Sequence, residues 1–444
     1  MTTMLFFDDQ RLFARKGLER KYGEPVLLQD AVYTDPNLAA SGGFPSIWRA
    51  PDGKYHLFYQ AFDKKGITET LAAVSDDCIH WAPRNEAAAH MDAPRYPNQL
   101  LPVEDAELAC VYTDTRDVPE RRLKALTARY LREELSVADE IYVSGDGYTW
   151  TLWDREWSDR HTEPGAGCFY SEALGKYVVI ARSGWGRRQL CVRPTVDWSI
   201  SEPSYEAIQI DSLDPSDMET YGMPSFAYKG MYIGMLWAYH VPYENCTHYM
   251  GGKMSAQLAY SLNGLHWQRS LRTDFIGNDH PETAGMVFPA AVTQTEDGSL
   301  LITASCTPNE HGHFSEEGHI VTYRLREDGF IRLCTEGEGS LCTRQLLVQG
   351  KVLWNLQAEH ATLAVLDIWS NPIEGLSHED CIPFSGDSTA WEPVFRDGRT
   401  LASLEGKVVV LELRLQNGAV YSYHGDFRPL MNTEASRYEK FGRI

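Results

Sequence analysis

One sequence pattern recurs along the first 335 residues and constrains the fold more than any other feature. Small or apolar residues, a serine, a polar turn and a tryptophan follow one another in AAVSDDCIHW (72–81), IYVSGDGYTW (141–150) and LAYSLNGLHW (258–267). Two weaker copies are LCVRPTVDW (190–198) and VTYRLREDGF (321–330). Five copies, spaced by about 50–70 residues, are typical of a repeat architecture with four-stranded units.

Each copy is preceded by two further stretches with the residue alternation of β-strands. The nearer ones are KYHLFYQAF (54–62), RRLKALTARY (121–130), KYVVIARS (176–183), MYIGMLWAYH (231–240) and SLLITASC (299–306). The more distant ones are GFPSIWRAPDG (43–53), ELACVYTD (107–114), GCFYSEALG (167–175), MPSFAYKG (223–230) and VFPAAVTQTEDG (287–298). Turn signals such as Asp-Gly and Lys-Gly join most of them. The sequence predicts a five-bladed β-propeller over residues 1–335, with 1–30 as a lead-in segment.

The repeat ends near residue 335, and a different pattern follows. Short strand-like stretches, among them KVLWNLQA (351–358), TLAVLDIW (362–369) and KVVVLELRL (407–415), are separated by turn residues. This spacing is typical of a β-sandwich. The sequence therefore predicts an all-β chain, a five-bladed β-propeller followed by a C-terminal β-sandwich over residues 340–444. Two packed sandwiches are the competing fold.

Charge and cysteine content limit the possible partners. The chain has 41 Lys and Arg against 62 Asp and Glu, a net charge of −21 that would repel phosphate backbones and anionic lipid surfaces. Nine cysteines without a C-x-x-C pair indicate reduced core residues rather than disulfides or a zinc site. We expect a cytoplasmic protein that binds neither nucleic acid nor membranes, and its oligomeric state stays open.

Acidic residues occur at comparable places in the loops that lead into the first strand of each blade. In a propeller these loops gather at one mouth of the central shaft. The candidate catalytic acids are Asp35, Asp105, Glu163, Glu219 and Glu282, with Glu107 close to Asp105. Carboxyl groups that converge on one mouth would repel one another and supply the acid and carboxylate that glycosidic cleavage needs. Loop acids that are merely solvated remain the alternative.

Aromatic, basic and histidine side chains at similar places could hold a sugar, because aromatic faces stack on the apolar side of sugar rings. The candidate substrate-binding residues are Trp48, Arg49, His161, Arg182, Trp237, His240 and His313. Core packing is the alternative for the tryptophans, and a rim position for the histidines. No metal-binding or phosphate-binding motif occurs, so we predict neither a metal nor another cofactor.

Two parts of the sequence resemble a known family. The segment GKYHLFYQ (53–60) is similar to the blade-one strand of the five-bladed propeller glycoside hydrolases, above all family 32. LWNLQAEH (353–360) and LEGKVVVLELRLQNGAVYSY (404–423) are similar to the β-sandwich of bacterial family-32-like proteins. The resemblance implies a five-bladed propeller fold, an enzyme that cleaves fructans or sucrose, and a retaining mechanism.

That mechanism uses three shaft acids: a nucleophilic aspartate on blade one, a stabilising aspartate on blade two and an acid/base glutamate on blade three. Glu163 stands at the blade-three place. At the blade-one place the chain has Gly43 and Phe44, while Asp35 lies twenty residues ahead of Tyr55. On blade two, Asp117 in the segment Arg116-Asp117-Val118-Pro119 and Asp105 are equal candidates.

The sequence therefore predicts a glycoside hydrolase that acts on a fructoside, an arabinofuranoside or a related glycoside. A small-molecule or oligosaccharide substrate follows from this prediction. A propeller that binds carbohydrate without cleaving it is the alternative, because a fold does not fix a function. A scaffold for protein interactions is a third possibility.

Overall fold

The computed structural model describes the whole chain except residues 39, 64, 104, 132–135, 158–163, 183–186, 200–202, 243–250, 314–315 and 443–444. The chain forms two compact units. The propeller unit is Pro25–Leu325, and the sandwich unit combines Met1–Glu24 with Arg326–Ile444.

The sandwich unit begins with three short strands at the N-terminus of the chain. These are β1 (Thr2–Leu5), β2 (Leu12–Lys16) and β3 (Glu19–Tyr22). The apolar residues Phe6 and Phe7 that follow β1 are buried, as expected for aromatic side chains that would otherwise lie exposed.

The propeller unit contains the five predicted blades. Blade one is β5 (Ala40–Arg49), β6 (Tyr55–Phe62), β7 (Thr68–Ser75) and β8 (Ala82–Pro83), after β4 (Val26–Tyr33). Blade two is β9 (Ala106–Thr113), β10 (Leu123–Leu131), β11 (Ser136–Ser144) and β12 (Thr151–Trp153). Blade three is β13 (Pro164–Ser171), β14 (Lys176–Arg182), β15 (Leu190–Thr195) and β16 (Tyr205–Glu206).

Blades four and five complete the ring. Blade four is β17 (Met218–Gly222), β18 (Ser225–Tyr228), β19 (Met231–His240) and β20 (Lys253–Ser261). Blade five is β21 (Met286–Gln294), β22 (Leu300–Thr307) and β23 (His319–Leu325), with β4 as its outer strand. Short 3₁₀ helices lie at Pro119–Arg121, Pro281–Thr283 and His311–His313.

The ring closes through the N-terminal strand β4. Tyr33 pairs with Ile320, and Val26 with Arg324, so the first strand of the unit completes the last blade. The innermost strands of neighbouring blades also touch: β5 contacts β9, β9 contacts β13, β13 contacts β18, and β21 contacts β5. Such closure protects the sheet edges, which would otherwise be open to pairing with other chains.

The recurring serine marks a turn that is the same in three blades. The hydroxyl oxygens of Ser75, Ser144 and Ser261 accept a hydrogen bond from the backbone N–H three residues later. The four residues at this place in blades one to four, Cys78, Gly147, Trp198 and Gly264, have φ between 62° and 84°. The repeat in the sequence is therefore a repeat of one left-handed turn, which a nearby hydroxyl stabilises.

The domain boundaries predicted at 335 and 340 need correction. Residues 1–24 belong to the sandwich unit, because β1 pairs with β27 (Val408–Pro429) and β3 with β24 (Ile331–Thr343). Residues 336–340, just past the predicted end of the repeat, lie inside β24, where a register shift between Thr335 and Glu338 interrupts the pairing with β27. A β-bulge of this kind accommodates glycines without ending the strand.

The sandwich unit is built on two long bent strands, β25 (Leu346–Leu366) and β27. Leu346 pairs with both Val409 and Pro429, near the two ends of β27, so the sheet folds back on itself. β26 (Phe384–Trp391) forms one edge, and a 3₁₀ helix follows at Leu401–Leu404. The helix α1 (Asn432–Phe441) packs Ala435 against Leu347 and Val408. Within the described residues no helix has the length and apolar character that a bilayer crossing requires.

Candidate active site at the shaft mouth

A cavity of about 200 Å³ opens on the propeller axis. We call it the mouth cavity. It is lined by Gly43, Phe44, Gln60, Phe62, Thr68, Glu107, Tyr130, Arg188, Tyr221, Met286, Phe288 and His311. All five blades contribute, through residues of the innermost strands and of the neighbouring strands and loops; blade three contributes Arg188, which lies between β14 and β15.

Among the described lining residues, the carboxylate is that of Glu107, on β9. Its Oε2 accepts a hydrogen bond of 2.8 Å from the hydroxyl of Tyr130 on the neighbouring strand β10. Glu107 is largely buried. The Tyr130 hydroxyl therefore holds the Glu107 carboxyl group in one orientation at the cavity wall.

Gln60 of blade one connects the strand that carries Glu107 with blade one. Its Oε1 accepts a 3.1 Å hydrogen bond from the backbone N–H of Leu108, next to Glu107. Gly43 lies against its side-chain amide, and a Cβ at Gly43, which has φ of 71°, would collide with that amide. Glycine at 43 is therefore required for the Gln60 side chain to reach β9.

Phe44 forms the floor of the cavity. Its ring stacks on that of Trp237, with the centroids 4.9 Å apart, and meets Phe288 edge-on at 6.2 Å. Trp237 in turn donates its indole N–H to the carbonyl of Pro289 at 3.0 Å. The floor is thus a rigid aromatic surface suited to the apolar face of a sugar ring.

The wall opposite Glu107 consists of Arg188, Tyr221 and His311. The guanidinium of Arg188 lies 3.5 Å from Oε2 of Glu219 and over the ring of Tyr221. The Tyr221 hydroxyl and His311 Nε2 are 3.0 Å apart. Glu219 itself is fully buried, and it also accepts the backbone N–H of Arg188 at 3.1 Å. This candidate acid therefore lies behind Arg188 and orients it.

The structure separates the other candidate acids. Asp105 is buried beside the cavity, where its backbone N–H binds the carbonyl of Thr68 and its carbonyl accepts the N–H of Tyr130. Glu282 pairs with His319 at 3.2 Å on blade five, away from the cavity lining. Glu163 and His161 lie outside the described residues, although Glu163 directly precedes Pro164, the first residue of β13.

Asp35 is 1% exposed and is held inside the unit. Its Oδ2 accepts hydrogen bonds of 2.5 Å from the Tyr59 hydroxyl and 2.7 Å from the Asn98 amide. Burial raises the pKa of Tyr59 well above its usual range, and the nearby charge of Asp35 adds to this, so the phenol stays protonated and donates. Asp35 does not line the mouth cavity.

Three of the tryptophan and arginine candidates, Trp48, Arg49 and Trp237, do not line the mouth cavity. Trp48 and Arg49 end β5 at the hairpin with β6, roughly 13 Å along the strand from Phe44. Trp48 packs between blades one and two, and Arg49 lies over the Tyr55 ring. Trp237 is completely buried beneath Phe44. The prediction that these side chains face a sugar is therefore corrected, because blade packing takes up both indole rings.

The remaining candidates are Arg182, His240 and His313, and none of them is among the described lining residues. Arg182 is buried with its guanidinium 4.4 Å from the Tyr221 ring centroid, so it packs behind Tyr221 in the wall opposite Glu107. His240 pairs with Asp217 at 3.4 Å. His313 is 70% exposed and pairs with Glu316 on the surface. His313 is thus corrected as a cavity residue, and His311, two residues earlier, takes its place.

Gln60, Tyr130, Arg188 and Tyr221 were not predicted from the sequence as site residues. Arg188 and Tyr221 stand on adjacent blades, so only the packing of blade three against blade four reveals that they meet. Gln60 ends the GKYHLFYQ segment, which was a usable signal for a site residue. Among the described residues no group of three His, Cys, Asp or Glu side chains could hold a metal ion.

No protein-family model and no curated protein matches the sequence. The structure is similar to a thermostable family 43 glycoside hydrolase, with 15% identity, a TM-score of 0.45, and coverage of 70% of this chain and 96% of that one. It is also similar to an exo-β-1,3-galactanase from Phanerochaete chrysosporium, with 9% identity, a TM-score of 0.41, and coverage of 92% and 100%.

A third similar structure is a family 32 β-fructofuranosidase from Bombyx mori, with 11% identity, a TM-score of 0.43, and coverage of 91% of this chain and 94% of that one. Glycoside hydrolases of families 43 and 32 are thus among the structures that this chain resembles. Similarity at this level assigns no residue role and no substrate to the chain.

Proposed function

We propose that this chain is a glycoside hydrolase and that the mouth cavity is its active site. The observation that carries the proposal is the buried carboxylate of Glu107, held by Tyr130 at 2.8 Å and lining a cavity with an aromatic floor on the propeller axis. The expected substrates are fructosides, arabinofuranosides or related glycosides.

The cavity suits a sugar in three respects. Its volume of about 200 Å³ is of the order of one sugar ring. Phe44 and Phe288 offer apolar surface for the C–H face of that ring. Gln60, Arg188 and His311 surround this surface with polar groups that can bind hydroxyls. A few polar groups around an apolar floor are the usual composition of a small-molecule site.

Glu107 supplies the carboxylate of the reaction. It either attacks the anomeric carbon and forms a glycosyl-enzyme that water later hydrolyses, or it takes the proton of a water that attacks that carbon. In both cases a second group donates a proton to the departing oxygen. A carboxyl separation of ~5–5.5 Å would indicate the first route and ~6.5–9.5 Å the second.

Glu163→Gln is expected to lower kcat by at least ~10²-fold, because Glu163 is the predicted general acid and glutamine cannot donate a comparable proton. The loss should be largest for natural glycosides and smaller for nitrophenyl glycosides, whose leaving group needs little protonation. Glu156→Gln, at an exposed acid of the same connection, is the control and should leave kcat unchanged. Equal kcat for Glu163→Gln and wild type on a natural glycoside would exclude this role.

The function itself is tested by a panel of nitrophenyl glycosides, sucrose and fructans. We expect turnover of at least one glycoside at ~1–10³ s⁻¹. Sucrose should not be turned over at such rates, because Phe44 stands at the place of the blade-one aspartate and Asp35 is buried between tyrosines. Sucrose hydrolysis at an ordinary enzymatic rate would contradict this assignment and implicate Asp35.

A non-catalytic carbohydrate-binding propeller is the second candidate. It is favoured by one observation: among the described lining residues Glu107 is the single carboxylate, whereas hydrolysis needs two suitable groups. Calorimetric binding of a sugar without release of product by any panel substrate would support this candidate over the enzyme.

A further inference from the structure

Two separate voids follow one another along the propeller axis. Beyond the mouth cavity lies a second one of about 180 Å³, which we call the axial void. Its walls are residues further along the same innermost strands, such as Ile47 on β5, Val111 on β9, Cys168 on β13 and Val292 on β21. The axial void therefore continues the line of the mouth cavity, and most of the side chains that line it are apolar.

Phe44 separates the two voids. Within the described part of the chain it is the one residue that lines both of them. Its ring is 3% exposed and is clamped by the stack on Trp237 and the edge contact with Phe288. Because Trp237 is itself fixed by its hydrogen bond to Pro289, the ring cannot leave the axis without disturbing blades four and five.

The backbone at Phe44 is arranged for this placement. Its φ is 40°, in the left-handed region that bulky residues rarely adopt. The pairing of β5 with β6 shifts register between Gly42 and Ser46, so Gly43, Phe44 and Pro45 form a bulge. Bulges next to binding sites commonly redirect one side chain, and strained backbone persists where the surrounding packing enforces it.

We propose that Phe44 is a specificity-determining residue that closes the shaft and limits the bound part of the substrate to a single sugar ring. This inference rests on the proposed function and deepens it. With Phe44 in place, a ring that enters the mouth cavity meets a closed floor, so the chain should cleave single terminal units. Without it the space roughly doubles, and a second ring can follow the axis.

The test removes the ring in two ways. Phe44→Gly suits the positive φ of the backbone, and Phe44→Ala removes the ring with less backbone freedom. For the monosaccharide that wild type accepts best, kcat/KM is measured on its 4-nitrophenyl glycoside and on the 4-nitrophenyl glycoside of its disaccharide. We expect the ratio of disaccharide to monosaccharide activity to rise about tenfold or more in both variants.

Phe226→Ala is the matched control. Phe226 lines the axial void alone, so its removal enlarges that void and leaves the partition closed. The activity ratio should stay at the wild-type value in this variant. A ratio in folded Phe44→Gly that stays within twofold of wild type, or an equal rise in Phe226→Ala, would overturn the proposal. If neither Phe44 variant folds, Phe44→Leu keeps most of the packing and should give a smaller rise in the ratio.

A second readout does not depend on turnover. Crystals of wild type and of Phe44→Gly are pressurised with xenon, which occupies apolar cavities of this size. In wild type we expect xenon in the axial void but no density that crosses Phe44. In the variant we expect continuous xenon density from the axial void into the mouth cavity. Two unconnected voids in the variant would overturn the partition role. If no glycoside is cleaved by wild type, the proposed function fails, and the xenon result still decides whether Phe44 is the partition.

Discussion

Glu107→Gln should lower kcat by roughly 10²–10⁴-fold on the best panel substrate while the fold stays intact. The variant keeps the shape of the side chain and its hydrogen bond with Tyr130, but it lacks the negative charge that either reaction route requires. Activity is measured at saturating substrate, so that a change in kcat is separated from a change in KM.

Two further variants make this expectation specific. Tyr130→Phe removes the 2.8 Å hydrogen bond to Glu107 and leaves the carboxylate in place, so we expect a smaller loss of about tenfold. Glu172→Gln changes an exposed acid in the β13–β14 hairpin, outside the mouth cavity lining, and should have no effect. If Glu107→Gln retained wild-type kcat, the catalytic carboxylate would have to be another residue.

Lys124→Met should lower the free energy of unfolding by about 3–5 kcal/mol, the largest stability effect that we expect from a single substitution. Lys124 and Asp114 are both fully buried, and their charged atoms are 2.8 Å apart. Lys124 also donates to Asp117 at 3.0 Å and to the carbonyl of Arg121 at 2.8 Å. Methionine fills a similar volume but leaves the buried carboxylate of Asp114 without this cation.

Denaturant unfolding measures the effect, and two comparisons isolate its cause. Arg121→Ala removes the exposed partner of Asp117 and should cost no more than about 1 kcal/mol. Lys124→Met combined with Asp114→Asn should recover part of the loss, because no buried charge then lacks a counter-ion. A double variant that is less stable than Lys124→Met would contradict this explanation.

The same cluster makes an acid-sensitive contribution to stability. Burial acts to raise the pKa of Asp117, but hydrogen bonds from Arg121 and Lys124 outweigh it and lower that pKa to about 2. A carboxyl whose pKa falls on folding stabilises the fold above its unfolded pKa of ~3.9 and loses this contribution as the pH falls toward 2. In Lys124→Met this acid-sensitive part should be smaller.

The blades were predictable from the sequence because a local rule produces them. The serine hydroxyl, the left-handed residue three positions later and the tryptophan lie within one turn, so their pattern survives in single blades. The GKYHLFYQ segment was predictable as a strand for the same reason. Phe58 packs towards blade two, while Leu57 and Tyr59 pack towards blade five, so neighbouring residues alternate between the two interfaces. Turns and strands that depend on residues close in sequence can be predicted without knowing the three-dimensional arrangement.

The site was less predictable, because it depends on contacts between blades. Glu107 and Asp105 are two positions apart, and only the register of β9 against β10 decides which carboxylate faces Tyr130. Trp237 has the sequence character of a sugar-stacking residue, yet the bulge at Phe44 covers it. No pattern within one strand encodes either outcome.

The domain boundaries show the same limit. Residues 1–24 contain only short apolar runs, and their assignment to the sandwich unit rests on pairing with strands more than 300 positions away. The sequence pattern predicts short strands separated by turn residues, and Gly350 and Gly418 lie beside these stretches. The structure instead continues β25 and β27 through these positions, because bent strands tolerate glycine where another strand approaches closely.

The crystal structure of Glu107→Gln, soaked with the best substrate of the panel, tests the central claim most directly. We expect an intact glycoside with one ring in the mouth cavity on the Phe44 surface, and its anomeric carbon facing the side chain of residue 107. An empty mouth cavity with the sugar bound elsewhere, in a protein whose wild-type form cleaves that glycoside, would contradict the account.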